Sequence, residues 1–271
     1  MRRERAIIIT SHVDLHGERC DPDSLEPVAT EMNRKYLPLN VEHDLWKPPI
    51  GRIAASEVIQ LEDGERAVES IIEIFEDGDS ADLLVGDGRS IEVSKSDVPT
   101  FRVEYDRSYD TEDGQRLISA LRALSHDSEV APVAKKALEP ISTLIIAAGV
   151  FIAGTIAKSF FTKLGEDLYK GLKTILANHF ERLGTSTPRL LDLRLTAVYK
   201  EDFVEVHVLL ENPTAAALEA LFTADLAGID DLVLGIDTGG IKIAKFVFQY
   251  KDGQLTILHA VSRACAPLRL L

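Results

Sequence analysis

One histidine and a small group of serines are the residues of this sequence whose types suit catalysis. His43 precedes Asp44 in the segment VEHDLWKPPIGR, which continues into two prolines and a glycine. Three serines, Ser90, Ser94 and Ser96, follow in GRSIEVSKSD. A histidine with an ordinary pKa of about 6.5 can take a proton from a serine hydroxyl near neutral pH. Such a pair would form a nucleophile and its general base.

A structural interpretation of the same residues is open as well. Pro48 and Pro49 have no backbone N–H, so they leave neighbouring polar groups without hydrogen-bond partners. His43 and Asp44 can end a strand and satisfy those groups at the turn. Among the serines, Ser94 is the best candidate nucleophile, because the alternation around it is compatible with the edge of a strand.

Other motifs for catalysis and ligand binding are missing from the sequence. It contains no GxGxxG or GxxxxGK[ST] phosphate loop, no GxSxG elbow and no HExxH helix. Residues 237–240, DTGG, are rich in glycine, but they lie between two predicted strands and indicate a hairpin loop. The two cysteines, Cys20 and Cys265, show no metal-ligand spacing. We therefore expect no cofactor and no metal site.

Composition and charge narrow the class of protein. A chain of 271 residues with 45% hydrophobic and 27% charged residues is a folded protein, long enough for two domains. A formal net charge of -14 argues against a nucleic-acid partner, because phosphate binding needs a basic surface. The cysteine usage favours the cytoplasm. The start, MRRERAIIIT, predicts a first strand, since its apolar run is too short for a signal peptide.

Residues 1–107 are expected to form a β-rich domain with one helix. The segment RAIIIT predicts a strand, and DPDSLEPVATEMNRKY predicts a helix with Asp21 as N-cap and Pro22 at the first helical position. Two strand-like runs flank Asp63 and Gly64, a dipeptide that favours a tight hairpin turn. The segment TFRVEY is expected to close this domain as its last strand.

The middle of the chain combines a polar and an uncharged part. Residues 108–140 are polar and predict a linker with a short helix around 112–124. Residues 141–184 predict a long helix that is hydrophobic at first and amphipathic afterwards.

The hydrophobic part, residues 141–157, contains no charge. As a helix it would be roughly 25 Å long, against a hydrocarbon core of about 30 Å. Gly149 and Ala153 would let a second helix approach closely, which suggests a homo-oligomer through this segment. Two interpretations stay open: a membrane-associated helix, and a helix buried between the domains.

Residues 188–271 predict a small α+β domain. The segments LLDLRLTAVY and FVEVHVLL alternate with period two, and a helix is expected to open at Asn212 and Pro213. Further strands are expected at LVLGI, IKIAKFVFQY and QLTILHAV.

The order of the N-terminal motifs resembles the start of the phage prohead serine proteases. In that family an Asp-x-x-Gly-Glu-like segment precedes a helix, and a histidine-containing strand runs into a Pro-Ile-Gly turn. The matching residues, within about residues 8 to 76, are Asp14, Gly17, Glu18, His43, Pro49, Ile50 and Gly51. The resemblance implies a β-barrel-like protease fold with His43 as general base. The family's serine has a Leu-Ser-x-Gly-Phe-like context, which Ser90, Ser94 and Ser96 lack.

The expected architecture is therefore α+β: an N-terminal β-barrel-like protease-type domain, a central hydrophobic and amphipathic helix, and a small C-terminal α+β domain. Two functions stay open. The first is a non-enzymatic, phage-related interaction or effector protein that binds a protein partner, in the cytoplasm or associated with a membrane. The second is a serine endopeptidase with His43 and Ser94 as catalytic residues. The segment 141–157 and the extra C-terminal domain favour the first, since capsid processing needs neither.

Overall fold

The fold is known from a computed structural model, which describes residues 1–13, 19–41, 44–76, 87–93, 101–124, 129–132, 142–151, 166–183, 188–223 and 227–268. These residues form an α+β structure that is mostly sheet with few helices, so the expected fold class is confirmed at this level. The chain forms two compact units. The first contains Met1–Glu92, Gly240–Ala244 and Ala260–Leu271, and the second contains Val93–Gly239 and Lys245–His259.

The first unit is built on a four-stranded antiparallel sheet. Its strands are β1 (Arg2–Thr10), β2 (Leu37–Leu39), β3 (Gly51–Gln60) and β4 (Arg66–Ile74), in the order β1-β4-β3-β2. The predicted first strand and the β3–β4 hairpin are confirmed. Gly64 has a φ of 88° in the hairpin turn, a conformation that glycine adopts without strain.

One helix, α1 (Leu25–Arg34), packs against this sheet and is the helix expected from the sequence. Its apolar residues recur at helical spacing, and they bury a core together with β3 and β4. The core residues are Leu25, Ala29, Met32, Ile53 and Val68. A short 3-10 turn, Pro22–Ser24, leads into α1, and the Asp21 carboxylate accepts the backbone N–H of Asp23 at 3.1 Å. The predicted cap therefore holds the turn that starts the helix.

The second unit carries a longer sheet. Its strands are β5 (Phe101–Tyr105), β6 (Glu129–Pro132), β7 (Ser142–Phe151), β8 (Arg189–Tyr199), β9 (Asp202–Glu211), β10 (Ile243–Lys251) and β11 (Gln254–Ser262). They follow the order β11-β10-β9-β8-β7-β5-β6. The first residues of β10 and the last of β11 belong to the first unit, where β12 (Pro267–Leu268) pairs with Ala260 and Val261.

The helices of the second unit are α2 (Glu112–Leu124), α3 (Glu166–Leu183), α4 (Ala215–Thr223) and α5 (Ala227–Leu234). The short helix predicted around residues 112–124 is α2, and the helix predicted after Pro213 is α4. The amphipathic helix is present as α3, whose residues Leu172 and Leu176 are buried. Among the helices that the structure describes, none combines the length and the apolar character needed to cross a membrane.

The hydrophobic helix predicted over residues 141–157 is wrong for residues 142–151, which form β7. This strand pairs with β5 on one side and with β8 on the other. A strand inside a sheet can be covered on both faces, and it then has an uncharged sequence, just as a buried helix does. Gly149, expected at a helix contact, lies where the β7–β8 register shifts. Residues 152–157 lie outside the described residues.

Two other predicted elements differ in the structure. The segment TFRVEY contains β5, which pairs with β6 and β7 in the second unit instead of closing the N-terminal sheet. The segment LVLGI, expected as a strand, contains the end of α5. Ile229 and Val233 are buried while Leu232 and Leu234 are exposed, which is a helical period.

Alternation along the strands gives the second sheet one apolar face and one charged face. The residues of the apolar face include Val103, Tyr105, Leu144, Ile146, Leu191, Leu193, Val206, Val208, Phe246 and Phe248, all of them buried. The opposite face carries Arg102, Glu104, Asp192, Arg194, Glu205, His207 and Lys245. The charged face brings titratable side chains of neighbouring strands together.

Candidate functional site

The predicted catalytic group is described only in part. His43, Ser94 and Ser96 lie outside the described residues, so their catalytic role stays a prediction. Ser90 is described and exposed, and its backbone carbonyl accepts the N–H of Tyr36 at 3.3 Å.

Asp44, the neighbour of His43, has a local role in the turn. Its Oδ1 accepts the backbone N–H of Trp46 at 2.9 Å, and its Oδ2 lies 2.9 Å from Lys47 Nζ. A carboxylate that accepts the N–H two residues ahead stabilises a turn. This part of the segment therefore has a structural function that needs no catalysis.

The first candidate site is the free edge of β1. This strand is nine residues long and, in the described part of the chain, pairs on one side only, with β4. The register shifts between Ile7 and Ile9, which marks a β-bulge at Ile8. Ile8 and Ile9 pack against the core under α1, whereas Ile7 is 49% exposed. The regular part of the edge is therefore residues 2–7.

Exposed arginines alternate along this edge. Arg3 donates from Nη2 to Glu73 at 2.7 Å, and Arg5 donates from Nη1 to Glu69 at 2.6 Å. Because successive side chains of a strand point to opposite faces, Arg3, Arg5 and Ile7 share one face. Their ion pairs with β4 hold the edge strand in place.

Behind the edge, a buried ion pair fixes the middle of the sheet. Arg52 of β3 donates from Nε to Glu73 at 2.7 Å and from Nη1 to the carbonyl of Ala264 at 2.9 Å. Burial by itself would raise the pKa of Glu73, but the hydrogen bonds from Arg52 and Arg3 lower it. The carboxylate is therefore ionised and bound from both sides.

An aromatic ring between two guanidinium groups continues this cluster. The Tyr36 ring lies 4.1 Å from the Arg52 guanidinium and 4.7 Å from that of Arg89. Its hydroxyl donates to Asp87 at 2.8 Å. The hydrogen bond from Arg89 holds the pKa of Asp87 well below its usual range. Each of these four side chains has a hydrogen-bond partner within the first unit.

The far end of β1 is anchored by a buried serine. Ser11 donates its hydroxyl to Glu65 at 2.5 Å, and the same oxygen accepts the backbone N–H of Arg66 at 2.9 Å. Arg19 donates to the Ser11 carbonyl at 3.0 Å and to the Glu65 carboxylate at 2.6 Å. These contacts tie the strand to the β3–β4 hairpin.

The second candidate site lies on the charged face of the larger sheet. His207 Nδ1 is 3.1 Å from Asp192 Oδ1, and its Nε2 is 3.4 Å from Glu205 Oε2. Arg194 donates from Nε to Asp192 at 2.7 Å. Lys245 Nζ lies 3.7 Å from the Glu205 carboxylate. Charges of alternating sign thus cross three neighbouring strands.

The pKa values of the two acids follow from this arrangement. Burial would raise the pKa of Asp192, but the charges of His207 and Arg194 hold it well below its usual range. Burial would also raise the pKa of Glu205, but the hydrogen bond with His207 and the charge of Lys245 bring it to about 2. Both carboxylates are therefore ionised at neutral pH.

The chemistry available to His207 is limited by its two carboxylate neighbours. A general base needs one ring nitrogen oriented by a partner and the other facing a substrate or a nucleophile. Here Asp192 occupies one nitrogen and Glu205 faces the other. The cluster is built as a charge network that joins strands. Within the described residues, no group of three or more His, Cys, Asp or Glu side chains is arranged to hold a metal ion.

The sequence contained a signal for this network that motif reasoning missed. Asp192 and Arg194 are the charged residues of LLDLRLTAVY, and Glu205 and His207 are the titratable residues of FVEVHVLL. Antiparallel pairing of the two segments places Arg194 opposite His207. Polar residues on one face of both strands of an otherwise apolar hairpin would have indicated the cluster.

Comparison with protein-family models, with curated proteins and with solved structures finds no match to this chain.

Proposed function

We propose that this chain is a non-enzymatic interaction protein that binds an extended segment of a partner protein at the free edge of β1. The observation that carries the proposal is that β1, nine residues long, pairs on one side only in the described residues. A strand at the edge of a sheet presents unpaired backbone N–H and C=O groups. An extended segment of another chain satisfies those groups by adding a strand.

The bulge defines where such a strand can add. A bulge disrupts the regular spacing of backbone hydrogen bonds, so the edge beyond Ile7 is a poor template. Residues 2–7 keep a regular register with β4. Ile7, half exposed at the end of this stretch, offers an apolar contact to the incoming strand.

The edge is also held in its binding conformation. Ion pairs from Arg3 and Arg5 reach the neighbouring strand, and Ser11 fixes the far end of β1. A preformed site loses less conformational entropy when it binds its ligand. The buried polar groups of the first unit therefore hold β1 in the conformation that binds a partner strand.

Selection from a display library of short random peptides tests the proposal. We expect the selected peptides to bind the full chain and to slow amide hydrogen exchange in residues 2–7. The Ile7→Lys variant should bind them at least about tenfold more weakly, equivalent to about 1.4 kcal/mol, because it removes the apolar contact that Ile7 offers to the incoming strand. The matched control is Leu234→Lys, at a 66% exposed leucine of α5, which should bind as the wild type does.

Two results would overturn the proposal. One is a library that yields no binders, or binders that tolerate Ile7→Lys. The other is labelling of the chain by a fluorophosphonate probe that is lost in both His43→Ala and Ser94→Ala while each variant stays folded, which would establish the serine endopeptidase instead. Membrane association through residues 141–157 forms no part of the proposal, because residues 142–151 are paired as a strand on both sides.

A further inference from the structure

We infer that the segment bound at β1 is acidic, with two carboxylates alternating along the strand beside the arginines and an apolar residue beside Ile7. This inference rests on the proposed function and names the class of partner for the same edge. It follows from the side chains that an added strand would meet first.

The charge along the regular part of the edge is positive. Arg2, Arg3 and Arg5 are exposed there, with Glu4 as the single acid, although the whole chain has a net charge of -14. A second copy of the chain would carry the same positive edge and the same overall negative charge. An acidic segment of a different protein is the complementary occupant.

The acids that already pair with these arginines are more distant from an added strand. Neighbouring strands lie about 4.8 Å apart, so the backbone of an added strand lies one spacing from the backbone of Arg3 and Arg5. Glu69 and Glu73, on β4, are then two spacings away, close to the screening length of about 8 Å at physiological salt. Arg3 and Arg5 are therefore on the strand nearer to an added strand, and Glu69 and Glu73 are on the more distant one.

Each arginine also has donors that its internal contacts do not use. A guanidinium group offers five N–H donors in a planar fork. Arg5 reaches Glu57 and Glu69 through Nη1, and Arg2 pairs with Glu4 through Nε. A partner carboxylate can join these exposed groups without breaking the existing pairs.

The alternation of β1 translates into a sequence pattern. Arg3, Arg5 and Ile7 lie on one face, two residues apart, so the partner must present its matching side chains at the same spacing. Antiparallel pairs are slightly more stable per residue than parallel ones, so we assign the antiparallel orientation. Read from its N-terminus, the partner then has the order apolar, x, acidic, x, acidic.

Fluorescence anisotropy with synthetic peptides tests this inference. The probe is the labelled peptide Thr-Val-Thr-Glu-Thr-Glu-Thr, and its controls replace both glutamates by glutamine or by lysine, or reverse the order. We expect the glutamate peptide to bind about tenfold more tightly than the glutamine peptide. This advantage should shrink as the salt concentration rises, because the pairs are exposed.

Variants of the arginines separate charge from shape. Arg5→Gln should lose most of the preference for glutamate, and Arg5→Glu should prefer the lysine peptide. The matched control is Arg34→Gln in α1. The Arg34 side chain is 67% exposed, similar to Arg5 at 62%, and the variant should keep the wild-type preference.

The outcomes distinguish the inference from the proposed function. If the glutamate, glutamine and lysine peptides bind equally and Ile7→Lys abolishes all three, the acidic partner is refuted and the edge still functions as a binding site. If none of the peptides binds while library peptides of other composition do, the acidic partner is refuted as well. If sedimentation shows a dimer that Ile7→Lys dissociates, the occupant is a second copy, which also refutes the inference.

Discussion

The stability of the second unit should fall in mild acid because of one buried histidine. His179 of α3 is 2% exposed, stacks on Tyr109 at 5.9 Å and meets Phe180 edge-on at 5.3 Å. Its Nε2 has no hydrogen-bond partner in the described part of the chain. Burial, together with the positive charges of Arg189 and Arg182, lowers its pKa to about 4. The folded unit therefore holds a neutral imidazole down to that pH.

The size of the effect follows from proton linkage. In the unfolded chain the same histidine has a pKa of 6.5, so it binds a proton at a higher pH than it does in the folded chain. Below that pH the proton stabilises the unfolded state, so the free energy of unfolding decreases until the folded pKa is reached. For His179 alone the loss is about 1 kcal/mol by about pH 5.5 and about 3 kcal/mol by about pH 4.

Urea unfolding of the full chain at about pH 7, 5.5 and 4 measures this loss. Helical circular dichroism is the signal to follow, because α2, α3, α4 and α5 all lie in the second unit. His179→Phe keeps an aromatic ring and removes the titration, so it should lose about 3 kcal/mol less than the wild type over this range. The control is His12→Gln, an exposed histidine paired with Asp63. If His179→Phe and the wild type lose stability in parallel, His179 is not the buried neutral group described here.

Two further predictions concern the larger sheet. Asp192→Asn should lower the free energy of unfolding by roughly 3–5 kcal/mol, since it removes the buried carboxylate that pairs with both Arg194 and His207, whereas Glu205→Gln, at a 31% exposed acid, should cost less, about 1–2 kcal/mol. Thermal unfolding measures both, and equal effects would contradict a network centred on Asp192. The folded chain should remain at the bottom of a flotation gradient with lipid vesicles, because residues 142–151 are paired within the sheet. Flotation without denaturant would show that this segment leaves the sheet.

Local patterns predicted the local elements well. The strand at RAIIIT, the capped helix after Asp21, the hairpin at Gly64 and the alternating pair β8 and β9 all follow from periodicity and turn residues within a few positions of one another. These signals are strong because the residues that decide them are neighbours in the chain.

The incorrect predictions share a physical cause, which is hydrogen bonding between strands that are far apart in the sequence. An uncharged segment such as residues 142–151 has no polar residue to reveal whether its period is two or 3.6, so its form depends on the strands that flank it. The position of β5 depends likewise on β7, which follows it by dozens of residues. For the candidate site, the sequence did not predict that β1 lies at the edge of its sheet. Which strand is at an edge depends on the order of all the strands, and that order is set by long-range pairing.

The first unit is completed by residues that are far apart in the sequence. Arg52 donates to the carbonyl of Ala264, and Ile91 donates to that of Arg263, so the first unit needs residues that the ribosome adds long after the N-terminal sheet. At roughly 5–20 residues per second, the N-terminal sheet waits about ten seconds or longer for them. During that interval Arg52 lacks one of its hydrogen-bond acceptors, and β1 already offers its open edge to other nascent chains. Correct folding of the first unit therefore depends on the synthesis of residues 263 and 264 before a strand of another chain pairs with β1.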